Sequence, residues 1–133
     1  MATLTPTLTL SSAAGQVSSD ALSFSSTLAL SVNAPSRGLS LINATATGGD
    51  NIIVPAGTAI SYLYVRHTGT TDGSTGTAQL VDIENTDNEA FARLGANEFC
   101  FIPFNHAGAS VGVQLQVAHA SVVQCEFAFF TKA

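Results

Sequence analysis

Polar and apolar residues alternate along most of the chain with a period of two, the spacing of strands that bury one face. Residues 111–117 alternate in this way, and residues 60–66 place two tyrosines on one face and Leu63 and Val65 on the other. No segment shows the 3.6-residue period of an amphipathic helix. Strand-like segments cover residues 3–5, 7–10, 22–25, 28–32, 38–42, 51–54, 60–66, 78–84, 90–94, 98–104, 111–117 and 122–130.

Turn-forming residues separate these segments, notably at residues 33–36, 47–50 and 55–57. The longest break, residues 68–76, contains Asp72-Gly73, a favoured pair for a tight turn with positive φ, and is expected to be an exposed, mobile hairpin tip. Short strands at this spacing predict an all-β protein. We expect a jelly-roll-like β-sandwich of about eight to ten antiparallel strands, with about eight core strands closing into two sheets.

The beginning of the chain differs in composition from the rest. Residues 1–19 are rich in Thr and Ser and contain no aromatic residue, whereas residues 20–133 carry the pattern of a single β-sandwich domain. Residues 1–19 are therefore a candidate extended arm that pairs with a neighbouring subunit through Leu4, Leu8 and Leu10. The alternative is an ordinary edge strand on the protein's own sheet.

Charged residues are unusually sparse. They make up 10% of the 133 residues, against roughly 25% in typical soluble proteins. A surface of Ser, Thr and Ala is suited to burial against other subunits, so we expect a homo-oligomer, with a trimer as the working number. The plainer interpretation is that small polar residues solvate the outer faces of the strands.

Net charge and hydropathy exclude two classes of partner. The formal net charge is -5 with four basic residues, which argues against nucleic-acid binding. No run of about 18 apolar residues is present, so no membrane-spanning helix is expected. The N-terminal residues lack the basic and apolar regions of a signal peptide, which predicts synthesis in a cytoplasm and buried free thiols at Cys100 and Cys125.

The acidic residues of the segment 82–89 are the one candidate cation site. Asp82 and Glu84 share a strand face and Asp87 follows, but a solvated strand end is the favoured interpretation, and no metal is expected. The histidines have no zinc-ligand spacing, and no nucleophile elbow, phosphate-binding loop or dinucleotide fingerprint is present. The sequence therefore predicts neither an enzyme nor a cofactor.

Aromatic residues crowd the second half of the chain. Phe99 and Phe101 share one strand face, and so do Phe127 and Phe129; both pairs are predicted to pack in the core. Phe130 falls on the opposite face from Phe129 and is a candidate apolar contact on the outside. Together with the exposed tip at Asp72, it is predicted to touch a partner.

Three segments of the chain are similar to segments of a known class of proteins. They are Ile-Ser-Tyr-Leu-Tyr-Val-Arg-His-Thr-Gly at 60–69, Phe-Ala-Arg-Leu-Gly-Ala-Asn-Glu-Phe-Cys-Phe-Ile-Pro-Phe at 91–104, and the aromatic ending at 126–132. Across residues 20–133 the chain resembles small β-rich virion proteins of tailed bacteriophages, especially of marine and cyanobacterial hosts. Where that pattern has Pro-Gly before Glu98, this chain has Ala96-Asn97, and Asn can adopt the same left-handed turn.

The resemblance implies that the protein is a non-enzymatic structural component of the virion and that it is made in the host cytoplasm. Its implied partners are capsid or other virion proteins. A head decoration or cement protein is the first expectation, acting through edge-strand addition and apolar contacts. The alternatives are a tail, neck or fibre-associated protein, or a lectin-like carbohydrate-binding module.

Overall fold

A computed structural model describes residues 2–17, 19–33, 37–46, 51–106 and 110–133, and regular structure in those ranges is entirely β. Most of the turns predicted at 33–36 and 47–50 lie outside the described residues. The strands are β1 (Ala2–Leu4), β2 (Thr7–Ser12), β3 (Leu22–Thr27), β4 (Leu30–Val32), β5 (Arg37–Ala44), β6 (Ile52–Val54), β7 (Ile60–His67), β8 (Val81–Asn85), β9 (Ala90–Leu94), β10 (Phe99–His106), β11 (Val113–Val117) and β12 (Val123–Phe130).

Strands β5 to β12 form two four-stranded antiparallel sheets, ordered β10-β7-β12-β5 and β6-β11-β8-β9. The pairs β8–β9, β7–β10, β6–β11 and β5–β12 are nested, so residues 37–130 run as one long hairpin that is rolled into two layers. The rolling adds the pairs β7–β12 and β8–β11. This is the jelly-roll topology, and it confirms the predicted fold class with eight core strands.

The core lies between the inner faces of these two sheets, where the alternation places β-branched and aromatic side chains. Leu63 and Val65 of β7, Ile83 of β8, Leu115 of β11 and Phe127 of β12 are each no more than 1% exposed. Burying a side chain of this size is worth roughly 1.5–3 kcal/mol. The predicted core position of Phe127 and Phe129 is confirmed. Cys100 and Cys125 are free thiols, the second fully buried.

Residue contacts divide the chain into two compact units, one of residues 1–34 with 132–133 and one of residues 35–131, the jelly-roll unit. The first unit contains two small ladders, β1 with β4 and β2 with β3. The predicted boundary after residue 19 falls between β2 and β3, which pair with each other over six positions. Contacts thus place the division fifteen residues later than composition does, because composition does not register strand pairing.

Two turn predictions made from residue type are confirmed. Asn97 has a φ of 67° and occupies the left-handed region that Asn tolerates. Gly73 of the Asp72-Gly73 pair has a φ of 90°, where a side chain would be strained. Asn97 lies between β9 and β10 and Gly73 between β7 and β8, so both left-handed residues occur where the chain passes from one sheet to the other.

Candidate interaction surface

The outward side of the sheet β10-β7-β12-β5 is lined by apolar and aromatic side chains. Alternation turns Cys100, Ile102 and Phe104 of β10 toward the core, so the intervening residues point outward. We call this surface the aromatic face. Its members are Leu39, Leu41, Tyr62, Tyr64, Phe99, Phe101, Pro103, Ala128 and Phe130.

Strand register arranges the aromatic face in rows that cross the sheet. Phe101 lies opposite Tyr64, which lies opposite Ala128. In the next row Tyr62 lies opposite Phe130, and the Tyr62 and Phe101 rings stack with centroids 5.8 Å apart and an interplanar angle of 7°. Ala128 is only 4% exposed although it points outward, which indicates that the larger neighbouring side chains cover it.

The rim of the face is open to water. Phe99 is 61% exposed on β10, and Leu39 and Leu41 are 67% and 62% exposed on β5. An aromatic ring and two leucines exposed on one sheet face form a patch of the kind that marks a contact site. Pro103 has no N–H to donate, so strand addition is disfavoured along β10. The face itself, rather than that edge, is the available apolar surface.

One ion pair crosses the middle of the aromatic face. The Arg66 guanidinium lies 3.4 Å from the Glu126 carboxylate, and both side chains are partly exposed. Partial burial and then the negative charge of Glu126 raise the pKa of the neighbouring Tyr64 phenol, which stays neutral at physiological pH. The charges therefore compensate each other within the face and leave it close to neutral.

The predicted core position of Phe99 and Phe101 is wrong. Alternation correctly assigns them to one side of β10, but that side is the outer one. The reason is that Cys100, Ile102 and Phe104 also alternate and are also apolar, and they occupy the core side. A strand with two apolar faces is the sequence signal that could have revealed the surface.

Phe130 points outward as predicted, and the structure brings it together with Tyr62 on the aromatic face. The nominated leucines belong to the other unit of the chain. Leu8 and Leu10 belong to β2, whereas Leu4 belongs to β1 and pairs with Leu30. Their roles in binding stay predictions.

Asp72 lies in an exposed loop, and its carboxylate accepts hydrogen bonds from Ser74 and Thr75 of the same loop. Its Oδ1 accepts hydrogen bonds from the Ser74 and Thr75 backbone N–H groups at 2.9 and 2.7 Å, and its Oδ2 accepts one from the Thr75 hydroxyl. These bonds hold the pKa of the Asp72 carboxyl at about 2. The loop gains stability from the ionised group above its ordinary value of 3.8, and loses it as the pH falls through about 2.

Buried His67 fixes both ends of the same loop region. Its Nδ1 accepts a hydrogen bond from the Gly69 N–H at 2.9 Å, so its Nε2 donates to the Gln79 carbonyl at 2.8 Å. Both ring nitrogens are thus used, which gives the residue a structural role at the end of β7.

The acidic segment is engaged with neighbouring side chains. Asp82 pairs with Arg93 through two bonds of 2.5 and 2.8 Å. Glu84 is 3% exposed and accepts a hydrogen bond from Gln114 Nε2 at 2.8 Å, while Asp87 is exposed in the turn that follows β8. Within the described ranges, the structure gathers no set of three His, Cys, Asp or Glu side chains around a common point.

The pair β2–β3 is amphipathic, and we call it the N-terminal hairpin. Leu10 lies opposite Phe24, with Leu8 and Leu22 on the same side, and these four side chains are 41–48% exposed. The other side carries only Thr and Ser, and its hydroxyls bond across the strands, as in Thr7 with Thr27 at 3.1 Å. The hairpin therefore presents one apolar and one polar side.

No helix in the described part of the chain is long and apolar enough to cross a membrane. No family model matches the chain, and no curated protein and no solved structure matches it either.

Proposed function

We propose that this protein is a non-enzymatic structural protein of a tailed-phage virion, and specifically a decoration or cement protein of the head shell. The observation that carries the proposal is the exposed aromatic face on a well-packed jelly roll. Such a surface favours burial against another protein. The resemblance of residues 20–133 to phage virion proteins supplies the setting.

The chemistry of the polar groups supports binding rather than catalysis. Asp82 is paired with Arg93, and both carboxylate oxygens of Asp72 are bonded within their own loop. Catalytic acids and nucleophiles need access to a substrate and a poised pKa. The jelly roll occurs in viral capsid and lectin domains, so the fold is compatible with this role but does not select it.

In the coat, the aromatic face of each copy would make one weak apolar contact with a neighbouring protein, and this contact would be repeated in every copy. Repetition over a lattice converts modest single affinities into stable coating. The low charge of the chain, with 10% of residues charged, reduces the desolvation cost of such contacts.

Immunogold electron microscopy on particles of the source phage tests this role. Gold spread over the head is the expected result. Gold confined to the tail or neck would replace decoration with the tail-associated alternative. Absence of gold on intact particles, with the epitope shown to be accessible, would contradict a surface virion role and favour the carbohydrate-binding alternative, which glycan binding would then support.

Rebinding of purified protein to stripped particles tests the surface itself. Phe99→Ser and Leu41→Ser on the aromatic face should weaken particle binding. Ile52→Ser is the matched control, since Ile52 is also apolar and 43% exposed but lies on β6 in the other sheet. Equal binding by all three variants would place the contact elsewhere.

A further inference from the structure

The N-terminal hairpin lacks what a two-stranded element needs to be stable. An isolated pair of strands is marginal in water unless a third strand or a packed layer covers its apolar side. All residues of β2 and β3 except Ser12 are exposed, and no buried layer within their own unit covers the leucines and Phe24. Within the described residues of its unit, Val32 is the one buried hydrophobic side chain. A surface outside its own unit is therefore needed to cover the apolar side of the hairpin.

A single chain exposes two apolar surfaces of matching kind. The apolar side of the hairpin carries Leu8, Leu10, Leu22 and Phe24, and the rim of the aromatic face carries Phe99 and Leu41, all at least 41% exposed. Strands β2 and β3 contain no charged residue, and the charges of the aromatic face are paired with each other. Contact between the two surfaces would desolvate no unpaired charge.

Their dimensions are also compatible. The hairpin's six-residue strands are about 20 Å long, and the four strands of the sheet, spaced about 4.8 Å apart, extend about 14 Å between the outer two, which is wide enough for two hairpin strands. A hairpin laid on such a sheet forms an added layer of the kind that sheets form on one another. Its Thr and Ser side, with hydroxyls already bonded across the strands, would then face water.

We propose that the N-terminal hairpin of one copy docks its apolar side onto the aromatic face of a second copy. Hairpin-to-hairpin packing would cover the leucines and Phe24 but would leave the aromatic face exposed, whereas this exchange covers both surfaces in one contact. The contact joins two different surfaces, so its repetition gives a closed ring or an open filament, and two copies that exchange hairpins form a reciprocal dimer. It does not depend on where in a virion the protein resides.

Light scattering after size exclusion, with the full chain at micromolar concentration, gives the first test. Wild-type protein should be oligomeric, and L10S and F24S should weaken association about ten- to a hundredfold for each buried side chain lost. Thr9→Ala is the matched control, because Thr9 lies on the same strand with its side chain on the polar side. A monomeric wild-type chain would overturn the proposal.

Mixing two variants gives the decisive test. A hairpin variant, L10S with F24S, keeps its aromatic face, and a face variant, F99S with L41S, keeps its hairpin. Each should be monomeric alone, and a titration of one labelled variant with the other should yield a one-to-one complex, since one complete contact is restored. Association of the face variant with itself would show that the hairpin binds elsewhere, and absence of a mixed complex would likewise overturn the proposal.

Circular dichroism accompanies both tests. A variant that has lost the β signal of the wild type is replaced by its milder counterpart, Leu10→Ala or Phe99→Ala, so that unfolding is not mistaken for lost association. Persistent self-association of folded L10A and F99A with wild-type affinity would contradict the proposed contact.

Discussion

The two units of this chain use the same strand chemistry with opposite results. In the jelly-roll unit, alternation buries one side of each strand against a second sheet, and residues such as Val65 and Ile83 are fully enclosed. In the N-terminal hairpin the same alternation separates Leu10 from Thr9, yet neither side is buried. Amphipathic strands therefore create a core only where topology supplies an opposing layer. Where it does not, they leave an apolar side exposed.

The largest expected difference between the units comes from the same substitution made in each. Phe127→Ala removes a ring that is 1% exposed and should lower the free energy of unfolding by about 3–5 kcal/mol. Phe24→Ala removes a ring that is 48% exposed and should change it by no more than about 0.5 kcal/mol. Urea unfolding measures both, at concentrations where the chain is monomeric. Equal effects of the two substitutions would show that the hairpin and the core unfold together in one cooperative transition.

The pH dependence of the free energy of unfolding reports on a thiol that is buried in the core of the jelly-roll unit. Burial raises the pKa of the Cys125 thiol from 9.0 to about 12, because the thiolate is disfavoured away from water. The thiol ionises at a lower pH in the unfolded chain than in the folded one. Its contribution to the free energy of unfolding is therefore fully present below pH 9 and declines as the pH rises toward 12. The expected slope for one proton is about 1.4 kcal/mol per pH unit.

Cys125→Ala supplies the comparison for that slope. Between pH 9 and 11 the free energy of unfolding should fall less steeply for the variant than for the wild type, and the two slopes should differ by about 1.4 kcal/mol per pH unit. Burial also raises the pKa of Cys100, so some decline should remain in the variant. Parallel curves for the two proteins would contradict the buried, neutral state of the Cys125 thiol.

Two glycines in the loop after β7 separate backbone strain from side-chain contact. Gly69 and Gly73 have φ values of 81° and 90°, so alanine should cost about 1–2 kcal/mol at either position. A Cβ on Gly69 would also lie 2.7 Å from Asn97 Oδ1, whereas a Cβ on Gly73 would have Gln124 Oε1 at 3.4 Å. Gly69→Ala should therefore be the more destabilising by thermal unfolding. Adding Asn97→Gly to Gly69→Ala should recover the extra loss of stability, because the clash with the Asn97 side chain is removed. If the effects of the two substitutions simply add, the contact between residues 69 and 97 is excluded.

The smallest expected effect is that of removing the first unit. Deleting residues 1–34 leaves the buried cluster of the jelly-roll unit complete. The free energy of unfolding should change by no more than about 1 kcal/mol, since that unit has its own core. Association should be lost at the same time if the hairpin carries it. A truncated chain without a cooperative unfolding transition would show that the two units fold together.

The period-two pattern was sufficient to determine the fold class, because a strand with one buried side must alternate whatever sheet it joins. Residue type was also sufficient at Asn97 and Gly73, where the left-handed conformation depends on local sterics. Phe127 and Phe130 were assigned to opposite sides correctly, since alternation within one strand is a local property.

Tertiary structure alone decided which side of a strand faces the core. Phe99 and Cys100 are both apolar, and only the nesting of β10 against β7 places the cysteine inside and the phenylalanine in water. The pairing of β2 with β3, which moved the division between units to residue 34, likewise depends on contacts between distant residues. The physical reason is the same in both cases: alternation fixes the two sides of a strand relative to each other, but the identity of the buried side depends on which strands become neighbours.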